Sequence, residues 1–156
     1  MPRIGVISDT HNLLRVEAVE FLRGSDHIVH AGDICDPSVL EELSRIAPLT
    51  VVRGNNDRGQ WADSIPTTEL AQVCGIYIYV VHDLAEMDID PVSAGIQVVI
   101  SGHSHQPAVH ERNDVWFLNP GSAGPRRFKL PIAAGEILIT EGRILPRTVL
   151  LSPSAA

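Results

Sequence analysis

Two histidines in the run Gly102-His103-Ser104-His105 have the chemistry and the spacing of metal ligands. The run follows a short β-branched segment, residues 98–100, which is typical of a buried strand. Because residues i and i+2 of an extended segment point to the same side, His103 and His105 are predicted to reach one ion together. Taken alone, this run fits a pair of surface histidines in a turn equally well.

The same arrangement, an apolar run that ends in Asp, His or Asn, recurs four more times. Each of these runs is predicted to be a strand, and ligands of open α/β sheets bind at the carboxyl ends of strands. The residues collected at these ends, with the two histidines above, are Asp9, His11, Asp33, Asn55, His82, His103 and His105. Two carboxylates, one amide oxygen and four imidazoles suit Mn, Fe, Ni, Co or Zn. Seven ligands fit two ions that share a carboxylate, an arrangement used for displacement at phosphorus.

The elements that position these residues change character along the chain. Helical patterns at 14–22 and 37–47 separate the first three strands, which is typical of parallel βαβ units. From residue 108 onward, strand candidates are separated by turn signals and predict antiparallel pairing. The predicted fold is therefore α/β, a two-sheet sandwich flanked by helices, with the metal site at the carboxyl ends of the strands. Residues 58–65 are predicted to form a loop.

Composition limits the class of function. A chain of 156 residues is expected to form one domain, residues 1–156. The net charge of −7 disfavours a broad nucleic-acid-binding surface. A phosphate ester can still bind, because a bound cation reverses the local charge. Cys35 and Cys74 are read as free thiols in a reducing compartment. Neither a signal peptide nor a membrane-spanning run of about 18 apolar residues is found, which predicts a cytoplasmic protein without a membrane partner.

The ordered motifs resemble those of the calcineurin-like metallophosphoesterases. The run Ser8-Asp9-Thr10-His11, the run Asn119-Pro120-Gly121-Ser122 and the small size are similar to the short bacterial and archaeal phosphodiesterase branch. Each motif is weak alone, but the whole set in this order and at strand ends is specific. The matching motifs are Asp9-x-His11, Gly32-Asp33, Gly54-Asn55-x-Asp57, His82 and Gly102-His103-Ser104-His105.

This resemblance implies a dimetal phosphodiesterase. One ion is expected to bind Asp9, His11, Asp33 and His105, and the other Asp33, Asn55, His82 and His103. Asp33, Asn55 and His103 are the residues expected to be catalytic, and a water or hydroxide that bridges the ions is the expected nucleophile. Manganese is the preferred ion, with nickel, iron, cobalt, zinc and magnesium as alternatives. A small-molecule phosphate ester is the expected partner, and a homodimer or larger homo-oligomer is possible in this branch.

Two residues depart from the family pattern. Many members have a histidine after Gly54-Asn55 that is thought to protonate the leaving group, whereas this chain has Asn56, which cannot supply a proton at neutral pH. We therefore expect a preference for good leaving groups, since general acid help is typically worth about 10²–10⁴-fold. Asp83 replaces a glycine that commonly follows the metal histidine, and solvent is its expected surrounding. Asp57 is expected to support the ligands without binding metal itself.

Several alternatives stay open on the sequence alone. A phosphomonoesterase or nucleotide phosphatase would use the same ions. A non-catalytic scaffold is a third possibility, because the small metallophosphoesterase-like subunit of retromer has this fold and departs from the full ligand set. Here every ligand position is filled, which favours an enzyme. His30 is either a support for the metal shell or an ordinary strand residue, and Arg126 and Arg127 either contact phosphate or are solvated.

Overall fold

The computed structural model describes residues 1–126 and 129–151. The helices are α1 (Val16–Leu22), α2 (Pro37–Ser44) and the single turn α3 (Gln60–Asp63), and a 3₁₀ turn spans Leu84–Glu86. The strands are β1 (Arg3–Ile7), β2 (His27–His30), β3 (Leu49–Val51), β4 (Thr68–Val73), β5 (Ile76–Val81), β6 (Val98–Ile100), β7 (Ala108–Arg112), β8 (Val115–Asn119), β9 (Ala133–Thr140) and β10 (Arg143–Leu150). No helix in the described residues combines the length and the apolar character that crossing a bilayer requires.

The strands form two five-stranded mixed sheets. The first has the order β10-β9-β1-β2-β3, in which β1, β2 and β3 are parallel and β9 and β10 are antiparallel to their neighbours. The second has the order β4-β5-β6-β8-β7, with β5, β6 and β8 parallel. This confirms the two-sheet α/β prediction. The expected purely antiparallel C-terminal part is wrong in one respect, because β8 pairs with β6 in parallel.

The main core lies between the two sheets. It is built from β-branched and aliphatic residues of both sheets, including Val6, Val29, Ile78, Val98 and Ile137, all fully buried. The helices α1 and α2 cover the outer face of the first sheet through Ala18, Leu22, Val39 and Leu43. A smaller cluster on the second sheet, which includes Tyr79 and Val99, is covered by Met87 and Ile89. Both sheets are therefore held rigid, which fixes the positions of their strand ends.

The predicted loop at 58–65 contains a one-turn helix. Gly59, with φ of 103°, precedes α3, and Ala62 is buried, while Trp61 and Ile65 pack in the cluster under the helices. Packing of these three apolar side chains explains why the segment forms a helical turn. The polar composition of the segment predicts a loop, because it does not show this packing.

Glu136 on β9 is a buried carboxylate held between two arginines, Arg3 and Arg147. Burial alone raises the pKa of Glu136, but these two guanidinium groups outweigh burial and leave the pKa below its usual value of 4.5. A carboxyl whose folded pKa is depressed adds stability above its unfolded pKa, and loses that stability as pH falls through the folded pKa. The ion pairs of Glu136 with Arg3 and Arg147 are therefore expected to stabilise the fold at neutral pH and not in strong acid.

Glu136→Gln is expected to lower the free energy of unfolding at pH 7 by about 2 kcal/mol, the usual worth of hydrogen bonds to a charged group. Urea melts of both proteins at a series of pH values test this. The gap between them should be widest at neutral pH and close below pH 4.5. A gap that is the same at pH 3 and pH 7 would show that the charge of Glu136 is not what matters.

Candidate metal centre

Strand ends from both sheets meet at one edge of the sandwich. Asp9 and His11 follow β1, Asp33 follows β2, and Asn55 follows β3, all in the first sheet. The second sheet contributes His82 after β5 and the pair His103 and His105 after β6. The structure therefore brings all seven predicted ligands to the same end of the molecule.

The backbone at five of these seven residues is left-handed rather than extended. The φ angles are 56° at Asp9, 44° at His11, 59° at Asp33, 70° at His103 and 62° at His105. The expectation that His103 and His105 share one side of an extended segment is therefore wrong. Asp and His are among the residues that tolerate this region, and such conformations cost on the order of 1–3 kcal/mol each and cluster at functional sites.

Asp9 is fully buried, and its two carboxylate oxygens have different surroundings. Oδ2 accepts a hydrogen bond from the Ser8 hydroxyl at 2.8 Å and from the His103 amide at 3.1 Å. Oδ1 has no hydrogen-bond partner in the described part of the chain. It faces the Nε2 atoms of His105 at 3.4 Å, His11 at 3.7 Å and His82 at 3.8 Å. One oxygen is thus fixed by the protein, and the other points into a ring of imidazoles.

Asp33 lies at the opposite side of the same ring. Its Oδ2 is 3.3 Å from His82 Nε2 and 3.6 Å from His11 Nε2. Asn56 holds this carboxylate through two 2.9 Å hydrogen bonds, one from its amide N–H to Oδ1 and one from its side-chain Nδ2 to Oδ2. Asp33 therefore contacts histidines of both expected ligand sets, as a bridging carboxylate would.

The imidazole nitrogens fit a divalent metal. The Nε2 atoms of His11, His82 and His105 are buried and have no hydrogen-bond partner among the described residues. His82 Nδ1 lies 2.7 Å from the Ala31 carbonyl oxygen, so it carries the proton and leaves the Nε2 lone pair free. Ligands about 2.1 Å from a tetrahedral or octahedral ion are about 3.0–3.4 Å apart, close to the separations found here. Two groups each bring their candidate ligand atoms within 4.8 Å of one another, Asp9-His11-His105 and Asp9-Asp33-His82.

The negative charge of the two carboxylates in the cluster also favours the binding of cations. Burial alone raises the pKa of Asp9, but the nearby imidazoles of His105, His11 and His82 hold it well below its usual range. Burial also raises the pKa of Asp33, but hydrogen bonding and charge from His82 and the hydrogen bonds of Asn56 outweigh burial and leave this pKa below its usual value. Both carboxylates are therefore ionised at neutral pH inside a buried site. Uncompensated buried charge is costly, and divalent ions are the natural compensation.

His103 and Asn55 form the open end of the cluster. His103 Nδ1 lies 3.2 Å from Asn55 Oδ1, and the rings of His103 and His82 are 5.2 Å apart. Asp83 Oδ2 is 3.8 Å from His103 Nε2, and Asp83 Oδ1 accepts a hydrogen bond from the Ala85 amide. The prediction that Asp83 lies simply in solvent is thus incomplete, since its carboxylate faces a candidate ligand.

Asp57 ties the ligand-bearing loops together, as expected for a supporting residue. Its Oδ2 accepts from the amides of Asp33 at 2.9 Å and Gly54 at 2.8 Å, and its Oδ1 accepts from the Cys35 amide at 2.7 Å. The close approach of these loops also explains Gly54, where a Cβ would clash with the Asp33 carboxylate.

Other supporting residues were not assigned these roles from sequence. Asn119 at the end of β8 donates from Nδ2 to the Gly102 carbonyl at 3.0 Å and to Ser104 Oγ at 3.1 Å, which ties the histidine loop to the second sheet. The Ser122 hydroxyl donates to the Asp9 carbonyl at 3.1 Å. Asn119 has the same sequence feature as the predicted ligands, a polar side chain at the end of a strand, and this feature could have indicated its role.

His30 supports the turn before Asp33. It is fully buried, Nδ1 accepts from the Gly32 amide at 3.1 Å, and Nε2 lies 3.1 Å from the Thr10 hydroxyl. Burial lowers its pKa to about 4, so the ring is neutral at physiological pH. Of the candidate phosphate contacts, Arg126 is exposed and Arg127 lies outside the described residues.

Comparison with known proteins identifies the family of this chain. The family model described as the calcineurin-like phosphoesterase superfamily domain matches residues 2–141. The chain belongs to the calcineurin-like phosphoesterase superfamily. A probable metallophosphoesterase of Methanothermobacter thermautotrophicus is 37% identical over 131 residues, covering 76% of each chain. A phosphodiesterase of Methanocaldococcus jannaschii is 26% identical over 137 residues, covering 76% of this calcineurin-like phosphoesterase and 82% of the relative.

Solved structures share the fold. An archaeal phosphodiesterase superposes with a TM-score of 0.79 at 22% identity, covering 96% of this chain and 99% of its own. Vacuolar protein sorting 29 (Vps29) of Entamoeba histolytica in complex with Zn²⁺ gives a TM-score of 0.73 at 20% identity, with 95% and 98% covered. The calcineurin-like phosphoesterase assignment places the chain among hydrolases of phosphate esters that use divalent metal ions.

Proposed function

We propose that the chain is a dimetal phosphodiesterase in which Asp9, His11, Asp33, Asn55, His82, His103 and His105 hold the ions. The observation that carries this proposal is the convergence of buried ligand atoms, Asp9 Oδ1 and the Nε2 atoms of His11, His82 and His105, that have no hydrogen-bond partner among the described residues. The relative named as a phosphodiesterase supports the diester class.

The residues of the chain have distinct tasks in this proposal. Bound divalent ions would activate water and neutralise charge on the phosphoryl oxygens. Asp33 holds its carboxylate between the two ligand groups, with Asn56 fixing its orientation. His103 and Asn55 lie at the open end, where an ester arrives from solvent. The proposal for the metals is manganese first, with nickel, iron, cobalt, zinc or magnesium as substitutes.

A small cavity beside the cluster provides room for the phosphoryl group. It has a volume of about 140 Å³ and is lined in part by Arg53, Asn55, His82 and His103. The Arg53 guanidinium supplies positive charge there, and its Nη1 is held 3.5 Å from Asp63. A guanidinium suits phosphate oxygens because its planar donors match their geometry.

The deciding experiment compares a diester with a monoester. Hydrolysis of methyl 4-nitrophenyl phosphate and of 4-nitrophenyl phosphate should be measured on the same protein with manganese supplied. Faster turnover of the diester is the expected result. Faster turnover of the monoester would replace the proposal with a phosphatase on the same site.

A scaffold role is the second candidate, favoured by the likeness to Vps29. The two candidates differ in one measurable respect, which is turnover by the metal-loaded protein. Stoichiometric metal binding without hydrolysis of either ester would support the scaffold. A homodimer remains a prediction for either role.

Asn56→His tests the departure from the family pattern. A histidine at this position is expected to raise turnover of esters with poor leaving groups, by up to about 10²-fold, since a proton donor is supplied. The same change removes the Nδ2 hydrogen bond to Asp33, so the ratio of poor to good leaving groups is the readout. Asn56→Ala is the matched control, because it loses that hydrogen bond and gains no proton donor. An unchanged ratio would contradict the interpretation.

A further inference from the structure

A second and larger cavity adjoins the metal centre on its second-sheet side. Its volume is about 260 Å³, and Gly102, His103 and Ser104 form the wall nearest the metal ligands. The cavity and the smaller phosphoryl cavity share His103 and Asp83. A molecule whose phosphate lies at the metal centre can therefore extend directly into this space.

The far wall is formed by aromatic side chains of the β7–β8 hairpin. His110 and Phe117 are direct cross-strand partners in the register of that hairpin. Their rings are 5.0 Å apart with an angle of 3° between their planes, so they are stacked in parallel. Ala108 and Asn119 form the next cross-strand pair on the same face, nearer the metal ligands. Leu84 adds an aliphatic group that is 39% exposed.

The side chain of Asn119 in this cavity is committed to hydrogen bonds within the protein. Asn119 uses Nδ2 on Gly102 and Ser104, and its Oδ1 accepts from the Gly121 amide. In the described part of the chain, the lining contains one carboxylate, Asp83, and neither lysine nor arginine. A second anionic group, such as another phosphate, would therefore find no cation here. A neutral group with a flat apolar face is the complementary occupant.

We propose that this cavity binds a heteroaromatic ring carried by one of the ester's alcohol groups, as in a nucleotide ester, with Phe117 and His110 as specificity-determining residues. This inference rests on the proposed function, since the ring is placed by a phosphate held at the metal centre. The volume suits a single ring system, because sites for whole drug-sized ligands are usually about 300–1,000 Å³. Stacking on aromatic side chains tolerates different bases, so selectivity for a ring over an alkyl group is expected, rather than for one base.

The test compares adenosine 5′-monophosphate with ribose 5-phosphate on the zinc-loaded protein. Both compounds offer the same phosphate and sugar, and only the first has a heteroaromatic base. The ratio of their dissociation constants therefore measures the contribution of the base to binding. Calorimetry is expected to show the adenine compound binding about 5- to 100-fold more tightly. In the NMR spectrum, adenine protons should give intermolecular NOEs to the Phe117 ring.

Two variants and one control locate the effect. His110→Ala changes an exposed side chain and should keep the fold, and Phe117→Ala removes the other half of the stack. Each is expected to bring the ratio close to 1 without changing the affinity for ribose 5-phosphate. Tyr77→Ala, an exposed aromatic residue of the same sheet outside this cavity, should leave the ratio unchanged.

Equal affinities in the unmodified protein, no binding of either compound, or a ratio that survives both substitutions would overturn the ring site. These binding results are independent of turnover. A preserved preference for the adenine compound in a protein that hydrolyses no ester would support the ring site while contradicting the phosphodiesterase.

Discussion

Asp33→Asn is expected to abolish metal retention and to reduce phosphodiester hydrolysis by at least about 100-fold. Asp33 Oδ2 faces the Nε2 atoms of both His11 and His82, so this carboxylate contacts a histidine of each expected ligand set. An amide is neutral and a far weaker ligand. Loss of a group outside the ligand set already costs about 10–100-fold in affinity or activity, and a shared ligand should cost more.

The variant also separates a metal effect from a folding effect. Without metal, Asp33→Asn removes a carboxylate whose pKa His82 and Asn56 hold below its usual value, so the metal-free variant is expected to melt somewhat lower than the unmodified protein. Added manganese should raise the melting temperature of the unmodified protein and leave the variant unchanged, because a ligand stabilises only the state it binds. Asp114→Asn, in the exposed β7–β8 turn, is the matched control. Activity of Asp33→Asn at the unmodified level would rule out the assignment.

Asp57→Ala is expected to destabilise the fold by about 3–5 kcal/mol. The carboxylate accepts from three backbone amides in a buried position, those of Asp33, Cys35 and Gly54. Removing it leaves these donors unpaired, and each buried unpaired donor costs about 1–3 kcal/mol. Since the amides belong to the loops that carry Asp33 and Asn55, metal affinity should fall together with stability.

Asp57→Asn is expected to cause a smaller loss of stability than Asp57→Ala. One amide oxygen can still accept from Asp33 and Gly54, while the new NH₂ group opposes the Cys35 amide. Urea unfolding should therefore place Asp57→Asn between the unmodified protein and Asp57→Ala. Equal stability of all three proteins would show that the hydrogen bonds of Asp57 do not hold these loops.

The sequence was informative where chemistry and strand ends coincide. Apolar runs ending in Asp, His or Asn predicted the edge at which all seven candidate ligands meet, because the carboxyl ends of parallel strands share an edge. The supporting role of Asp57 was an expectation that came with the family motif Gly54-Asn55-x-Asp57. The two-sheet architecture followed from the change between strand–helix alternation and hairpins, and the structure confirms it.

Features set by tertiary contacts were not predictable in this way. The left-handed backbone at His103 and His105 is a conformation that no local spacing reveals. The grip of Asn56 on Asp33 depends on two loops that are 23 residues apart in sequence. The aromatic wall of His110 and Phe117 depends on hairpin register, which single residues do not show. The parallel pairing of β8 with β6 likewise appears only once the sheets are assembled.

Anomalous diffraction from a crystal of the manganese-loaded protein tests the central claim most directly. Two peaks about 3.5–4 Å apart are expected, the usual separation in two-metal sites. Asp33 should lie between them, with His11 and His105 on one side and His82 on the other. Manganese bound elsewhere on the protein, or no ordered manganese near Asp9 and Asp33, would contradict the dimetal centre.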